Sequence, residues 1–142
     1  MDYDKINGYL VDIFNNVVII EEASLKNSKF NDISLKEMHT IDVTHPDTTP
    51  SAVARELMLT LGTVTTSLNK LEKKGYIIRT RSSVDRRVVH LSLSKKGRLV
   101  YRLHRAFHKS MVKTITEGFN DEELKVMSKG LENLHAFLEE LK

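Results

Sequence analysis

Apolar residues at alternating spacings of four and three run through both ends of the chain, and the one place where that period gives way to two lies between them. Ile6, Leu10, Ile13, Val17 and Ile20 put a single stripe on a helix, widened by Phe14 and Val18. Leu124, Met127, Leu131, Leu134, Leu138 and Leu141 repeat the spacing after Asn120, an N-cap with Glu123 three residues on. Val100, Leu103, Phe107, Met111 and Ile115 form the stripe of a long helix over 95–117, opened by Ser94. By contrast Val89, Leu91 and Leu93 alternate with His90 and Ser92. Ile78 to Arg81 can pair with them across Ser82-Ser83-Val84-Asp85-Arg86, which predicts a short β-hairpin with a charged tip.

Shorter elements fill the middle. Ser34-Leu35-Lys36-Glu37 is a capping-box pattern that opens a helix to about Val43, and His45-Pro46-Asp47 breaks it. Thr49-Pro50 starts the next helix, because proline at the first helical position gives up only an amide that was unpaired anyway. Leu61, Val64, Leu68 and Leu71 mark the buried side of another helix, stopped at Gly75. The expected fold is therefore mainly α with a small β-hairpin wing: a winged helix-turn-helix with N- and C-terminal dimerisation helices. The 142 residues read as a single domain, 1–142, with 1–30 and 95–142 as dimerisation helices and 34–93 as the winged helix-turn-helix.

Charge is segregated along this plan. From Arg55 to Lys113 fifteen Lys and Arg stand against three acids, a balance of +12, while the remainder is at −9. A surface so arranged suits a polyanion, with double-stranded DNA the natural partner. The longest aliphatic run, Val17 to Ile20, is far short of the roughly 20 residues that span a bilayer. With an acidic start lacking a signal's apolar region, the chain reads as cytoplasmic and without a membrane partner. Absence of cysteine excludes disulfides, thiolate metal sites and thiol nucleophiles. No phosphate loop, HExxH motif or GxSxG elbow is present, so the chain reads as no enzyme and needs no cofactor.

On the helix that begins at Leu61, the face opposite the apolar stripe carries Thr63, Thr66, Asn69, Lys70 and Lys73, with Thr65 to one side near the N-terminal turn. Hydroxyls and a carboxamide read base edges, and the lysines match phosphates. Ser51, in the preceding helix, joins this set. In the hairpin, Arg79, Arg81, Arg86 and Arg87 surround a single carboxylate, Asp85. Arg86 or Arg87 is expected to reach the minor groove or its phosphates, with Asp85 fixing the tip through a neighbouring arginine.

Thr63-Val64-Thr65, Leu71-Glu72-Lys73-Lys74-Gly75-Tyr76-Ile77, Asp85-Arg86-Arg87 and Leu93-Ser94-Lys95-Lys96-Gly97 together resemble the MarR family of regulators. Phe14 to Glu22, Lys36 to Val43 and Thr60 to Leu68 are similar to its members that repress fatty acid biosynthesis genes. That resemblance implies a homodimer on a palindromic operator, with long-chain acyl-acyl carrier protein as a corepressor that strengthens DNA binding. Phe14, Val17, Val18 and Ile41 are candidates to line an apolar channel for such a ligand, or else simply pack the core. Arg98, Arg102, Arg105 and Lys109 recur on one side of the long helix, where they suit either the acidic carrier protein or DNA phosphates. The alternative reading is a zinc-responsive regulator. His104 and His108 stand at i and i+4, a spacing that presents two imidazoles to one metal, and Glu21 and His39 would complete the set.

Overall fold

The computed structural model describes residues 2–142. Among them the elements run α1 (Tyr3–Lys26), α2 (Leu35–Thr44), β1 (Asp47–Thr48), α3 (Pro50–Leu57), α4 (Leu61–Lys73), β2 (Ile77–Arg81), β3 (Val89–Leu93), α5 (Lys95–Ile115) and α6 (Asp121–Glu140). Local chemistry sets the helix starts. Ser34 Oγ accepts from the Glu37 N–H at 3.1 Å while Glu37 Oε1 accepts from the Ser34 N–H at 3.2 Å. Asn120 and Glu123 repeat this reciprocal pair at α6, at 2.8 and 3.1 Å. Each pair satisfies two of the amides that a helix start leaves without partners. At the far end of α4, Gly75 adopts φ 86° and the Tyr76 N–H returns to the Leu71 carbonyl at 2.9 Å. A Cβ is disfavoured at that φ, so glycine suits this stop.

Val64, Leu68 and Leu71 of α4 form one buried cluster with Val53 and Ala54 of α3, Met38 and Ile41 of α2, and Leu91 and Leu93 of β3. Each large aliphatic side chain so buried contributes about 1.5–3 kcal/mol. Tyr76 is the hub between this cluster and α5. Its hydroxyl donates to Asp32 Oδ1 at 2.6 Å, and the Lys96 ammonium stands 4.3 Å from its ring centre. The Tyr76 bond holds the Asp32 carboxyl below its ordinary value.

Three details differ from the sequence reading. The wing is a three-stranded antiparallel sheet of order β1-β3-β2, because Asp47 and Thr48 pair with Ser92 and Leu91. Two residues carry no periodicity of their own, and the strand exists only through its partner. Leu61 is half exposed rather than buried, since as the first residue of α4 it projects beyond the edge of the core. The long helix ends at Ile115, two residues short of the expected end.

α6 buries none of its residues and α1 only Glu21 and Leu25. Ile6, Leu10, Ile13 and Ile20 on α1, and Leu131, Leu134 and Leu138 on α6 with Leu141 at its C-cap, are left uncovered in the single chain. Apolar surface on this scale marks an interaction face. Among the described residues no helix is long and apolar enough to cross a membrane.

Candidate nucleic-acid interface

The turn from α3 to α4 is held by Met58 at φ 54°, with its N–H bonded back to the Arg55 carbonyl and the Leu59 N–H to that of Ala54. Thr60 then caps α4, accepting from the Thr63 N–H at 3.2 Å. With Val64, Leu68 and Leu71 drawn into the core, the helical period leaves Thr65, Thr66, Asn69, Lys70 and Lys73 exposed and Thr63 partly so. Two hydroxyls are already oriented: Thr60 Oγ1 donates to Thr63 Oγ1 at 2.9 Å, and Thr66 Oγ1 donates to the Gly62 carbonyl at 3.1 Å. Ser51 is exposed in the first turn of α3.

The wing stands on the same side of the molecule as this helix. Thr65 and Leu68 of α4, Pro50 of α3, and Arg79, Arg81 and Val89 of the sheet line one groove of about 330 Å³. Among the described residues Arg79 Nε is buried there without an acceptor. Arg79 as a whole is partly exposed and lines the groove, which offers its guanidinium to an anion. At the tip, Arg87 grips Asp85 through Nε at 3.1 Å and Nη2 at 3.2 Å, and the Arg87 N–H donates to the same carboxylate at 3.0 Å. These bonds hold the Asp85 carboxyl below its ordinary range. Arg81 Nη1 donates to the Arg86 carbonyl at 3.1 Å, so the loop is braced from both ends while the Arg86 side chain stays exposed.

A second groove flanks α4 on its other side, where Ser34, Lys36 and Glu37 of the α2 start meet Thr63, Thr66 and Lys70. Lys36 was not among the residues expected from sequence. Its capping box announced a helix start, but nothing local says which neighbouring helix that start borders.

The basic row on α5 is exposed along its length. Arg98 Nη1 is tied to the Leu93 carbonyl at 3.0 Å, and Arg105 Nη1 donates to the Tyr101 hydroxyl at 3.2 Å. None of Phe14, Val17, Val18 and Ile41 lines the apolar cavity of the single chain. Ile41 is fully buried in the core and Phe14 lies exposed on α1. The cavity, about 70 Å³, sits one to two turns further along α1, between Leu25, Phe30, Met38, Val100, Leu103 and Phe107. Its wall also includes Glu21 and His104.

Those two residues belong to a cluster joining α1, α2 and α5. Glu21 Oε1 lies 2.9 Å from His104 Nε2 and 2.8 Å from His108 Nε2, and the two nitrogens are 2.8 Å apart. His39 Nε2 meets the other Glu21 oxygen at 3.1 Å. Asp42, absent from the sequence reading, pairs with His104 Nδ1. Burial pushes the Glu21 carboxyl up, but the bonds from His104 and His39 outweigh it and leave the group below its ordinary value.

Residues 38–89 match the MarR family. The chain is 32% identical over 107 residues to the HTH-type transcriptional regulator YwhA of Bacillus subtilis, covering 69% of this chain and 73% of that protein. It is 36% identical over 86 residues to the transcriptional regulator ZitR of Lactococcus lactis, covering 58% and 59%. Among solved structures it is similar to Streptococcus pneumoniae FabT in complex with DNA, with 65% identity, a TM-score of 0.89, and coverage of 99% of this chain and 100% of that one. The fold is also shared with a Staphylococcus aureus MepR–DNA complex, at 20% identity and a TM-score of 0.72, over 96% of each chain.

Proposed function

The chain belongs to the MarR family, and on that premise we propose that it is a sequence-specific DNA-binding transcriptional repressor of fatty acid biosynthesis genes, acting as a homodimer. The observation that carries the reading is the shared groove: Thr65 of α4 and Arg79 and Arg81 of the wing line one surface. A relative that is 65% identical over its whole length was solved on DNA. In this reading α4 lies in the major groove, with Thr63, Thr65, Thr66 and Asn69 at base edges and Lys70 and Lys73 at phosphates. The wing reaches the adjacent minor groove. Arg87 is paired with Asp85 and stiffens the tip, which leaves Arg86 as the side chain without a partner at the turn among the described residues.

Asn69→Ala and Thr66→Ala are each expected to cost about 1–3 kcal/mol on the best operator and to relax base preference, whereas Arg87→Ala weakens binding evenly across sequences. Randomised-site selection followed by fluorescence anisotropy separates the two. Unchanged selected sequences for both helix variants would remove α4 from base readout. The operator in this reading is a pseudo-palindrome with half-site centres about 10–11 base pairs apart.

The corepressor proposed is long-chain acyl-acyl carrier protein. Its acidic body suits the exposed row of Arg98, Arg102, Arg105 and Lys109 on α5. The cavity beside α1 is far below the roughly 300–1,000 Å³ of a ligand pocket, so an acyl chain enters there only as α1 and α5 part. Arg102→Glu together with Arg105→Glu is expected to cut the enhancement by acyl-acyl carrier protein at least about tenfold and leave ligand-free operator affinity within about threefold. Equal losses in both anisotropy assays would assign the row to DNA instead.

A further inference from the structure

We infer that Gly62 is a specificity-determining residue of the DNA surface: its missing side chain lets the leading turn of α4 seat against the duplex at a depth that a methyl group in this position would deny. The inference rests on the repressor reading and adds to it a position that acts by having no side chain.

Glycine is unfavourable in a helix, because it gives up more backbone freedom on folding than any other residue and brings no side chain to pack. Elsewhere in the chain the fold supplies a reason for it. Gly97 admits the Tyr76 carbonyl, and Gly75 and Gly118 stand at positive φ. Gly62 has no such reason. It is the second residue of α4, in regular helix, and a Cβ there would meet nothing within 4 Å. Gly8 and Gly130 are equally free of neighbours, and they stand on α1 and α6, the helices whose apolar faces the single chain leaves uncovered. The glycines that the chain's own packing does not require thus lie on elements turned toward a partner.

The place of Gly62 on α4 identifies what needs the room. With Val64, Leu68 and Leu71 turned into the core, Gly62 falls one turn before Thr65 and Thr66 and two turns before Asn69, at the leading end of the exposed ridge. A groove flanks that ridge on each side. Thr65 lines the one shared with the wing arginines, and Thr66 the one shared with Lys36. A duplex drawn onto both basic grooves comes closest to the protein along the ridge between them. Around Gly62 that ridge is low, because Thr66 Oγ1 is folded back onto the Gly62 carbonyl at 3.1 Å and Thr60 Oγ1 holds Thr63 Oγ1 at 2.9 Å. A recognition helix meets the major groove through its first turns, so its depth there decides which side chains reach base edges. A methyl at position 62 would raise the low point and lift Thr65, Thr66 and Asn69 from the bases together.

The test compares the intact parent with Gly62→Ala and Gly62→Gln on two duplexes: one recovered by randomised-site selection with the parent, and a scrambled duplex of the same composition. Gly62→Ala is expected to raise the thermal midpoint by about 2–4 °C, since alanine favours the helix and meets no neighbour. On the selected duplex it should bind about tenfold more weakly or worse, the scale of a mismatched base pair. Binding to the scrambled duplex should stay within about threefold, because phosphate charge carries it and the bases need not be reached. Gly62→Gln should lose still more on the selected duplex. Both substitutions favour the helix over glycine, so a loss that grows with side-chain size reports clearance and not a stiffened helix start. An alanine variant less stable than the parent would overturn the inference, because the fold itself would then need the glycine. Unchanged affinity for the selected duplex, the same loss on both duplexes, or tighter binding by the glutamine variant than by the alanine one would overturn it as well. Failure of the repressor reading looks different: the parent itself would then recover no preferred sequence.

Discussion

Gly97→Ala is expected to lower stability by about 3 kcal/mol, one of the largest effects of any single added methyl in this chain. A Cβ at position 97 would stand 2.2 Å from the Tyr76 carbonyl oxygen and 3.3 Å from Leu93 Cδ2. That oxygen has little freedom to retreat. It accepts from the Ser94 N–H at 3.0 Å, the Ser94 hydroxyl donates to the neighbouring Gly75 carbonyl at 2.5 Å, and the Tyr76 side chain is fully buried. Relief therefore requires the first turn of α5 to lift from the sheet by roughly 1 Å, against packing of crystalline density. The capping bond from the Gly97 N–H to Ser94 Oγ, 3.1 Å, would be stretched in the same movement. In urea the midpoint should fall by about 1–3 M with an unchanged slope. Operator affinity should fall as well, because α5 carries the wing's position to the dimer helices. A variant as stable as the parent would show that the close approach of α5 to Tyr76 is not maintained in solution.

Gly97 also shows what the sequence could and could not convey. Ser94-Lys95-Lys96-Gly97 was legible as a helix start, since a cap is a matter of residues three apart. That the glycine's missing side chain admits a carbonyl from 21 positions earlier belongs to the tertiary arrangement. The same division runs through the molecule. Capping boxes at Ser34 and Asn120, the stop at Gly75 and the period-two stretch at Val89–Leu93 were readable because each is local chemistry. Strand β1 was not, because Asp47 and Thr48 are extended only by pairing with β3. In the candidate DNA surface the residue types were legible from helical period and arginine density. The groove joining Thr65 to Arg79 and Arg81, and the orphaned Arg79 Nε, are products of packing α4 against the wing. His104 and His108 announced themselves by spacing, whereas Asp42 did not, because nothing in the sequence places the third turn of α2 beside α5. Phe14, Val17 and Val18 show a related limit: an apolar stripe states which face is covered, not what covers it.

The second large effect concerns that uncovered stripe. Leu134→Glu combined with Leu138→Glu on α6 is expected to dissociate the homodimer and weaken operator binding about 100-fold or more. Both side chains are substantially exposed in the single chain, and α6 places no residue in the core, so the change removes apolar interface without opening a cavity. Two carboxylates buried against the partner's apolar face would lack counter-charges, a desolvation cost that association does not recover. The loss at DNA follows from linkage. In the proposed reading each winged unit contacts one half-site, and the second contact becomes intramolecular only while the protomers stay joined, an advantage of about 10²–10⁴ in affinity. Sedimentation should show a monomer, with far-UV dichroism retaining the α2–α4 and sheet signals and anisotropy reporting the weakened binding. A single half-site should lose far less, because α4 and the wing are unaltered. Should the double variant remain dimeric, or a monomer hold the full operator as tightly as the parent, the exposed faces of α1 and α6 would have to serve something other than a second copy of the chain.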